Sequence, residues 1–595
     1  MSFVLASHST TIHKYRKKFG STLPLPEHGM PLPGEGLPLP GNNQPQCIPH
    51  VRLKYFKQKI PNFKVAPEPP VCPLPKEPLE SKICIIGAGM AGLFSALLLQ
   101  KAGFKNIQIL ECQNRVGGRI YTHYFEGNKE QRLYGEHGAM RLPKTEEHQM
   151  VFDTIDYLNQ RITNKEDQLS RIKFIFSNDN GLYYYNDSQI MTQGDESKQE
   201  LSTLGFSSKV YPKYKEMFSE AFQCFFALLD KDFDEGLRCL MKYDEDSVYS
   251  YLRRELKVPE PYDIDETIAA LEMTESATGL FRLSLVEAVM DAYTFMTDSQ
   301  EWETIDYGMQ RFPDAFRLVY EQEERNGLAN VRIKYNHKVY KLEYEDNKVH
   351  VYWKENGESR NDIFDKVIVT CPLGVVRQWD LSGLDKNDEF YHKRRAIREL
   401  NYDKSAKVFL KFKTRFWENG SRPIVGGSST TDLPIRTVVY PSCYVDNNIP
   451  VDNPAILLAS YTWANDAEKF APYSQKENAE ICAENLKILH GREVIEENLV
   501  SEEFSSIYWP NDPTTIGAFA LFGPGQFSTL MYPMIKPMNN IHWAGEHTDI
   551  HHAWIVGAFN SAVRVVKEIM LCSNMKPQWD KLKTQEPLQN WHGHI

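Results

Sequence analysis

Residues 82–103, KICIIGAGMAGLFSALLLQKAG, leave few folds open. KICII is a short apolar run that reads as a buried strand, and the residues after the glycines read as a helix. Gly87, Gly89 and Gly92 stand between them in G-x-G-x-x-G spacing, and NIQILE reads as a second strand ending at Glu111. The spacing alone is a weak signal. A strand before it, a helix after it and an acidic residue closing the next strand make it a dinucleotide site. Gly87 supplies a tight turn, Gly89 lets backbone reach a pyrophosphate, and Gly92 lets helix and strand pack closely. Ala91 sits in the first helical turn, where free N–H groups and the dipole favour phosphate. Glu111 is placed to accept hydrogen bonds from ribose hydroxyls.

A matching pair lies near the other end. NIHWAG reads as a strand and AWIVGAFNSAVRVVKEIM as a helix with small residues on one face. Strand and helix at both ends imply one sheet built from both ends of the chain. The expected class is therefore α/β, with a Rossmann-like nucleotide domain assembled from 81–130, 303–400 and 530–575. VRIKY, VYKLEY and VHVYW add strands, with EDNK as a hairpin loop. A mixed-sheet substrate domain is expected from 131–190 and 401–529, and an inserted helical region from 191–302. Residues 1–80 repeat a Pro-Leu-Pro theme and read as an extended surface arm.

Composition removes several classes. A net charge of −11 over 595 residues argues against a general nucleic-acid binder. No apolar run is long enough to span a bilayer. MSFVLASHST lacks the basic start of a secretory signal, and NWHGHI is no peroxisomal address. Ten scattered cysteines without a CxxC pair suggest reduced thiols in an intracellular, cytoplasmic protein. His547 and His551 are four apart, but they fall in a turn without a cysteine or carboxylate set, so no metal is expected.

Directly after Glu111 comes CQNRVGGRIYT, with Arg115, Gly117, Gly118 and Arg119. A second glycine pair with flanking arginines suggests a longer nucleotide than NAD. GAGMAGL, then E-x3-R-x-GGR, then WAGEHT followed by a helix, resembles the flavin amine oxidase superfamily, which includes monoamine, polyamine and L-amino acid oxidases. The resemblance runs from about residue 82 to about residue 570. It implies FAD and the family's two-domain fold. It also implies that Gly545 and Glu546 hold the ribityl or pyrophosphate side, that the helix starting near Ala553 points its N-terminus at the flavin with Trp554 and Ile555 beside the cofactor, and that Val339 contacts the adenosine part. No cysteine lies between Pro510 and Met570, so noncovalent flavin is expected.

Within that superfamily, LYGEHGAMRLP (133–143) is the discriminating stretch. An arbitrary arginine is more often in a structural ion pair. Here Gly138 to Pro143, with Met140 and Arg141, resembles the L-amino acid oxidases, fungal or bacterial rather than venom-like. The resemblance implies that Arg141 pairs with the substrate α-carboxylate, and that Tyr440 in the TTDLPIRTVVYP segment bonds the same group. It implies that Trp554 walls the substrate, that the Ala553 carbonyl receives the amino group, and that Lys407 holds a water near flavin N5. Trp509 and GAFALFGPGQF fit the same pattern.

The implied reaction is stereoselective oxidation of an L-amino acid by hydride transfer to flavin. Its products are a 2-oxo acid, ammonia and, from O2, hydrogen peroxide. The family often forms homodimers. A monoamine or polyamine oxidase, an amino acid 2-monooxygenase and an inert flavoprotein scaffold remain as alternatives. No acidic anchor for a basic side chain stands out in the sequence, which points to broad or apolar side-chain preference.

Overall fold

A five-stranded parallel sheet joins the two ends of the computed structural model, which describes residues 77–589 and 591 apart from 197–199, 276, 296–300, 328–329 and 446–448. The proline-rich arm expected over 1–80 lies outside the described residues except for its last four. Lys82–Ile86 is the central strand, flanked by Asn106–Leu110 and Lys366–Val369; Val331–Lys334 and Ile541–Trp543 form the edges. All four pairings are parallel, with Ile85 opposite Ile109 on one side and Ile368 on the other.

Parallel strands are covered on both faces, so KICII reads as a continuous apolar run rather than an alternating one. Ile83 and Ile85 pack under the helices Met90–Lys101 and Ile555–Cys572. Those helices meet through Phe94 and Phe559, whose rings stack 4.0 Å apart. Cys84 and Ile86 face the opposite side, against Leu342, Val349 and Val351 of a second sheet. That sheet has four strands: Glu358–Phe364, Lys348–Glu355, Lys338–Glu345 and Asp380–Gly383. The EDNK loop is the expected two-residue hairpin, with Asp346 and Asn347 at φ 51° and 60°, the left-handed pair such turns require.

A seven-stranded mixed sheet supplies the other wall of the molecule. Its order is Leu499–Tyr508, Ser405–Phe412, Ala455–Trp463, Thr437–Val439, Ser428–Thr431, Leu182–Tyr184 and Met191–Thr192. Ala406, Val408 and Leu410 turn to a core shared with the helix Gln475–His490. Lys407 and Phe409 turn the other way, toward the loop carrying Glu136 and Gly138. Helices Tyr214–Lys231, Val248–Glu255, Ile264–Thr274 and Leu285–Thr294 pack beside the sheets around Phe218, Phe222 and Phe226. No helix among the described residues is long and apolar enough to cross a membrane.

Gly92 fixes how closely the first helix approaches the sheet. A Cβ there would lie 2.0 Å from the Gly87 carbonyl oxygen and 3.2 Å from the Ile85 side chain. Because the clash is with backbone, Gly92→Ala is expected to destabilise the protein by about 3 kcal/mol or more. Denaturant unfolding checks this; a wild-type midpoint would show that the helix can slide without penalty.

Candidate active site

One large cavity runs from the glycine turn, past the loop 137–143, to the helix Leu285–Thr294. At its first end Gly87, Gly89, Met90 and Ala91 line the wall. Gly87 adopts φ +109°, which admits glycine far more readily than other residues. Gly89 is the N-cap of the first helix, and a Cβ added there would meet no atom within 4 Å. Its backbone therefore faces open space where an anion can approach. Glu111 is buried, with one carboxylate oxygen accepting from the Ala88 N–H at 2.7 Å and the other from the Gln113 N–H at 2.8 Å. An ionised carboxylate has about four acceptor positions, so capacity remains for a ribose hydroxyl. Val339 lines the same end.

Arg115 and Arg119 have different fates. The Arg115 guanidinium donates to the carbonyls of Gly118 (2.8 Å), Ile120 (3.0 Å) and Val116 (3.3 Å), and it is not among the cavity-lining residues. It braces the Gly117–Gly118 loop rather than offering charge to a ligand. This corrects the expectation of direct cofactor contact: the fork is consumed by carbonyls that a turning loop leaves without ladder partners. Gly118 and Arg119 do line the cavity. Arg119 donates to Glu546 at 2.7 Å and to the Ala518 carbonyl at 3.0 Å.

Glu546 is buried, and burial alone would raise its pKa. The Arg119 charge outweighs that, aided by His552 and His547, and holds it at about 2. Its oxygens also accept from the N–H groups of Ala520 and Ala553, each at 3.2 Å. Gly545 precedes it at φ +121°. Trp554 caps the helix Ile555–Cys572, and Trp554 and Ile555 face the cavity. Two helix N-termini thus open onto one cavity. One suits a pyrophosphate and the other a ring that gains negative charge on reduction. The glycine turn, Glu111 and these two helix starts fit a flavin dinucleotide.

The other end holds Arg141. Its guanidinium carbon lies 4.9 Å from the Phe176 ring centre, 5.5 Å from Phe295 and 5.4 Å from Trp302. Trp554 packs on Phe295 and Trp302 at 5.7 and 6.0 Å. Burial lowers the Arg141 pKa to about 10, which leaves it charged at neutral pH. Met140 lines the adjacent wall. Lys407 is almost wholly buried and donates to the carbonyls of Glu136 (2.9 Å) and Gly138 (2.6 Å). Burial pulls its ammonium down to about 7. Trp509 lines the cavity and donates its indole N–H to the His137 carbonyl at 3.1 Å. Ala553 lines it too, in the left-handed region at φ 64°.

Tyr440 does not join this group. It is fully buried on the far face of the seven-stranded sheet, its hydroxyl bonded to Ser429 at 2.8 Å and His490 at 3.0 Å. The reason is strand parity. Successive side chains point to opposite faces; Val438 and Tyr440 join the core behind the sheet, while Val439 faces the other way. The phenol in the cavity is Tyr461, paired in register with Lys407 and lying under its ammonium at 4.7 Å. Burial pushes the Tyr461 pKa up to about 12, so it remains a neutral donor. The sequence reading missed Tyr461 because its exposure depends on a register set by a strand about fifty residues earlier. It also missed Glu287 and Asp291, which reach the cavity from the helix Leu285–Thr294.

The C-terminal histidines are each engaged separately. His547 pairs with the Tyr402 hydroxyl at 2.8 Å, His551 with Asp549 at 2.7 Å and His552 with Glu287 at 2.8 Å.

Residues 90–570 match the family described as flavin containing amine oxidoreductase. A "putative bifunctional amine oxidase" of Dictyostelium discoideum is 33% identical over 85% of this chain; the chain spans about half of that protein's length, 47%. L-amino-acid oxidase 4 of Hebeloma cylindrosporum is 32% identical over 82% of this chain and 81% of its own. Among solved structures, putrescine oxidase bound to putrescine superposes with a TM-score of 0.60 at 16% identity, covering 83% of this chain and 99% of that one.

Gly89 separates folding from cofactor binding. Gly89→Ala meets no atom of the protein, so its thermal midpoint is expected to stay within a few degrees of wild type. The added methyl would stand in the anion path and weaken flavin retention about tenfold. Flavin content after desalting reads this; undiminished flavin would remove Gly89 from the cradle.

Proposed function

Because the chain belongs to the family of flavin-containing amine oxidoreductases, we propose that it is an L-amino acid oxidase using noncovalent FAD and O2. Arg141 carries the reading. It is a charged fork in an aromatic box, in the same cavity as the cofactor cradle. A planar guanidinium matches a carboxylate bidentately, and an amine lacking a carboxylate has no use for one there. The fungal relative named L-amino-acid oxidase supports it.

Arg141 takes the substrate α-carboxylate, with the Tyr461 phenol as a second donor from the same wall. Trp554 and Phe295 flatten the space beside it and exclude water. The Ala553 carbonyl receives the substrate amine, and the Glu546 contact to the Ala553 N–H holds that residue in its left-handed conformation. A flavin held there would supply the two-electron acceptor for the hydride leaving Cα and the route by which those electrons reach O2. Orientation of substrate by these fixed groups contributes up to about 7–11 kcal/mol. Lys407 presents a cation whose charge is lost as pH rises through about 7. In a site where charge develops on oxygen, the protonated form is the effective one.

Anaerobic titration tests the reading. L-leucine and L-lysine are expected to bleach the visible flavin band, while their D-enantiomers and spermine do not. Bleaching by spermine alone would return Arg141 to a structural role. Arg141→Met is expected to lower kcat/KM for L-amino acids by about 30-fold to several thousandfold; unchanged kinetics would defeat the assignment.

Reoxidation by O2 should be fastest below about pH 7 and fall as Lys407 loses its proton, whereas Lys407→Met should be slow and flat with pH. Stopped-flow recovery of the visible band measures both. An identical pH profile in the variant would show that another group sets it.

A further inference from the structure

Four carboxylates line the cavity: Glu111, Glu287, Asp291 and Glu546. Three have backbone partners. Glu111 accepts from Ala88 and Gln113, Glu546 from Ala520 and Ala553, and Glu287 from the Phe522 N–H at 2.7 Å and the His552 ring at 2.8 Å. Asp291 receives no hydrogen bond or ion pair from the described residues. A carboxylate held among apolar groups without a partner is strongly disfavoured; burial and the nearby Glu287 charge raise the Asp291 pKa, and Arg141 opposes them more weakly.

The position of Asp291 gives that unmet demand a direction. Asp291 and Phe295 are four residues apart, at and just beyond the end of the helix Leu285–Thr294, and positions so spaced share a face. Phe295 touches the Arg141 guanidinium and Trp554. Asp291 is therefore about one helical turn, ~5.4 Å along the axis, from Phe295, whose ring centre lies 5.5 Å from the Arg141 guanidinium carbon. From the proposed reading, on which this inference rests, a substrate bound at Arg141 extends its side chain toward that turn.

Charge balance decides what that side chain carries. Arg141 and Asp291 line the same cavity, and the Arg141 charge favours the ionised form of Asp291. A substrate carboxylate claims Arg141 and leaves Asp291 without a counter-charge. With the α-amine bound neutral, the form that can lose hydride from Cα, an apolar side chain then adds one uncompensated negative charge to a medium of low dielectric. An ammonium or guanidinium at the end of a three- or four-carbon chain restores neutrality. We propose that Asp291 is a specificity residue that selects L-amino acids with a cationic side chain. The broad or apolar preference expected from sequence is thereby replaced by a selective one, because the anchor sits in the helical region and not in any motif.

L-lysine and L-norleucine form the discriminating pair, since they match in chain length and differ in the terminal ammonium. Anaerobic stopped-flow bleaching of the holoenzyme, normalised to bound flavin, is measured with each. L-lysine is expected to exceed L-norleucine by about 30-fold or more in second-order rate constant. Asp291→Asn is expected to abolish that ratio, and Asp291→Glu to retain most of it. Equal or faster bleaching by L-norleucine in the wild-type protein overturns the proposal without touching the amino acid oxidase reading. So does a lysine preference that survives Asp291→Asn. Bleaching by spermine and by no amino acid overturns both.

Discussion

Glu546 is where four separate stretches of chain are tied together. Its carboxylate takes Arg119 from the loop after the second strand, the Ala520 N–H from the segment beyond the seven-stranded sheet, and the Ala553 N–H ahead of the C-terminal helix. Each contact alone is ordinary. Together they set the position of the Gly117–Gly118 loop relative to Ala553 and Trp554 across the cavity. Burial makes this junction stringent. With Glu546 and Arg119 both removed from bulk water, loss of either leaves a charge without its partner. The same low-dielectric surroundings depress Lys407 and Arg141, so the geometry fixed by one ion pair is also what makes the remaining charges effective.

Legibility in the sequence followed the range of the interactions. The roles of Gly87, Gly89 and Gly92 depend on residues a few positions away, and the structure places each as its spacing predicts: a left-handed turn, an open approach and a 2.0 Å limit on any Cβ. Lys407, Trp509 and Trp554 were reached through a family resemblance, and all three face the cavity. The misses share a cause. Tyr440 and Tyr461 are both tyrosines near strand ends, and which one faces the cavity depends on the parity of two strands against Lys407. Arg115 and Arg119 flank the same glycines, yet one is used up on local carbonyls and the other reaches Glu546, more than four hundred residues away. Asp291 had no motif because helix faces are assigned by packing against distant sheets.

The two ends of the cavity use opposite strategies. At the glycine-turn end, Gly87 and Gly89 leave backbone open to the cavity beside a helix N-terminus, with Glu111 and Arg119 as the charged side chains nearby. At the Arg141 end, side chains on a strand, a loop and a helix converge, with the rings of Phe176, Phe295 and Trp302 around the guanidinium. The first depends on glycine, which tolerates little exchange. The second depends on which residue a strand or helix happens to present, so its selectivity can change by single substitutions without disturbing the fold.

The parallel sheet has a consequence for the order in which the protein is made. Its central strand is Lys82–Ile86, but the edge strand Ile541–Trp543 and the helix Ile555–Cys572 that covers it come more than four hundred residues later. During synthesis the glycine turn leaves the ribosome early and waits, with one face of its sheet covered only by the helix Met90–Lys101, until almost all the chain has followed. Such long-range closure is slow and exposes apolar surface in the interim. The fold is therefore completed late, and truncation anywhere before residue 572 should yield aggregation-prone chains.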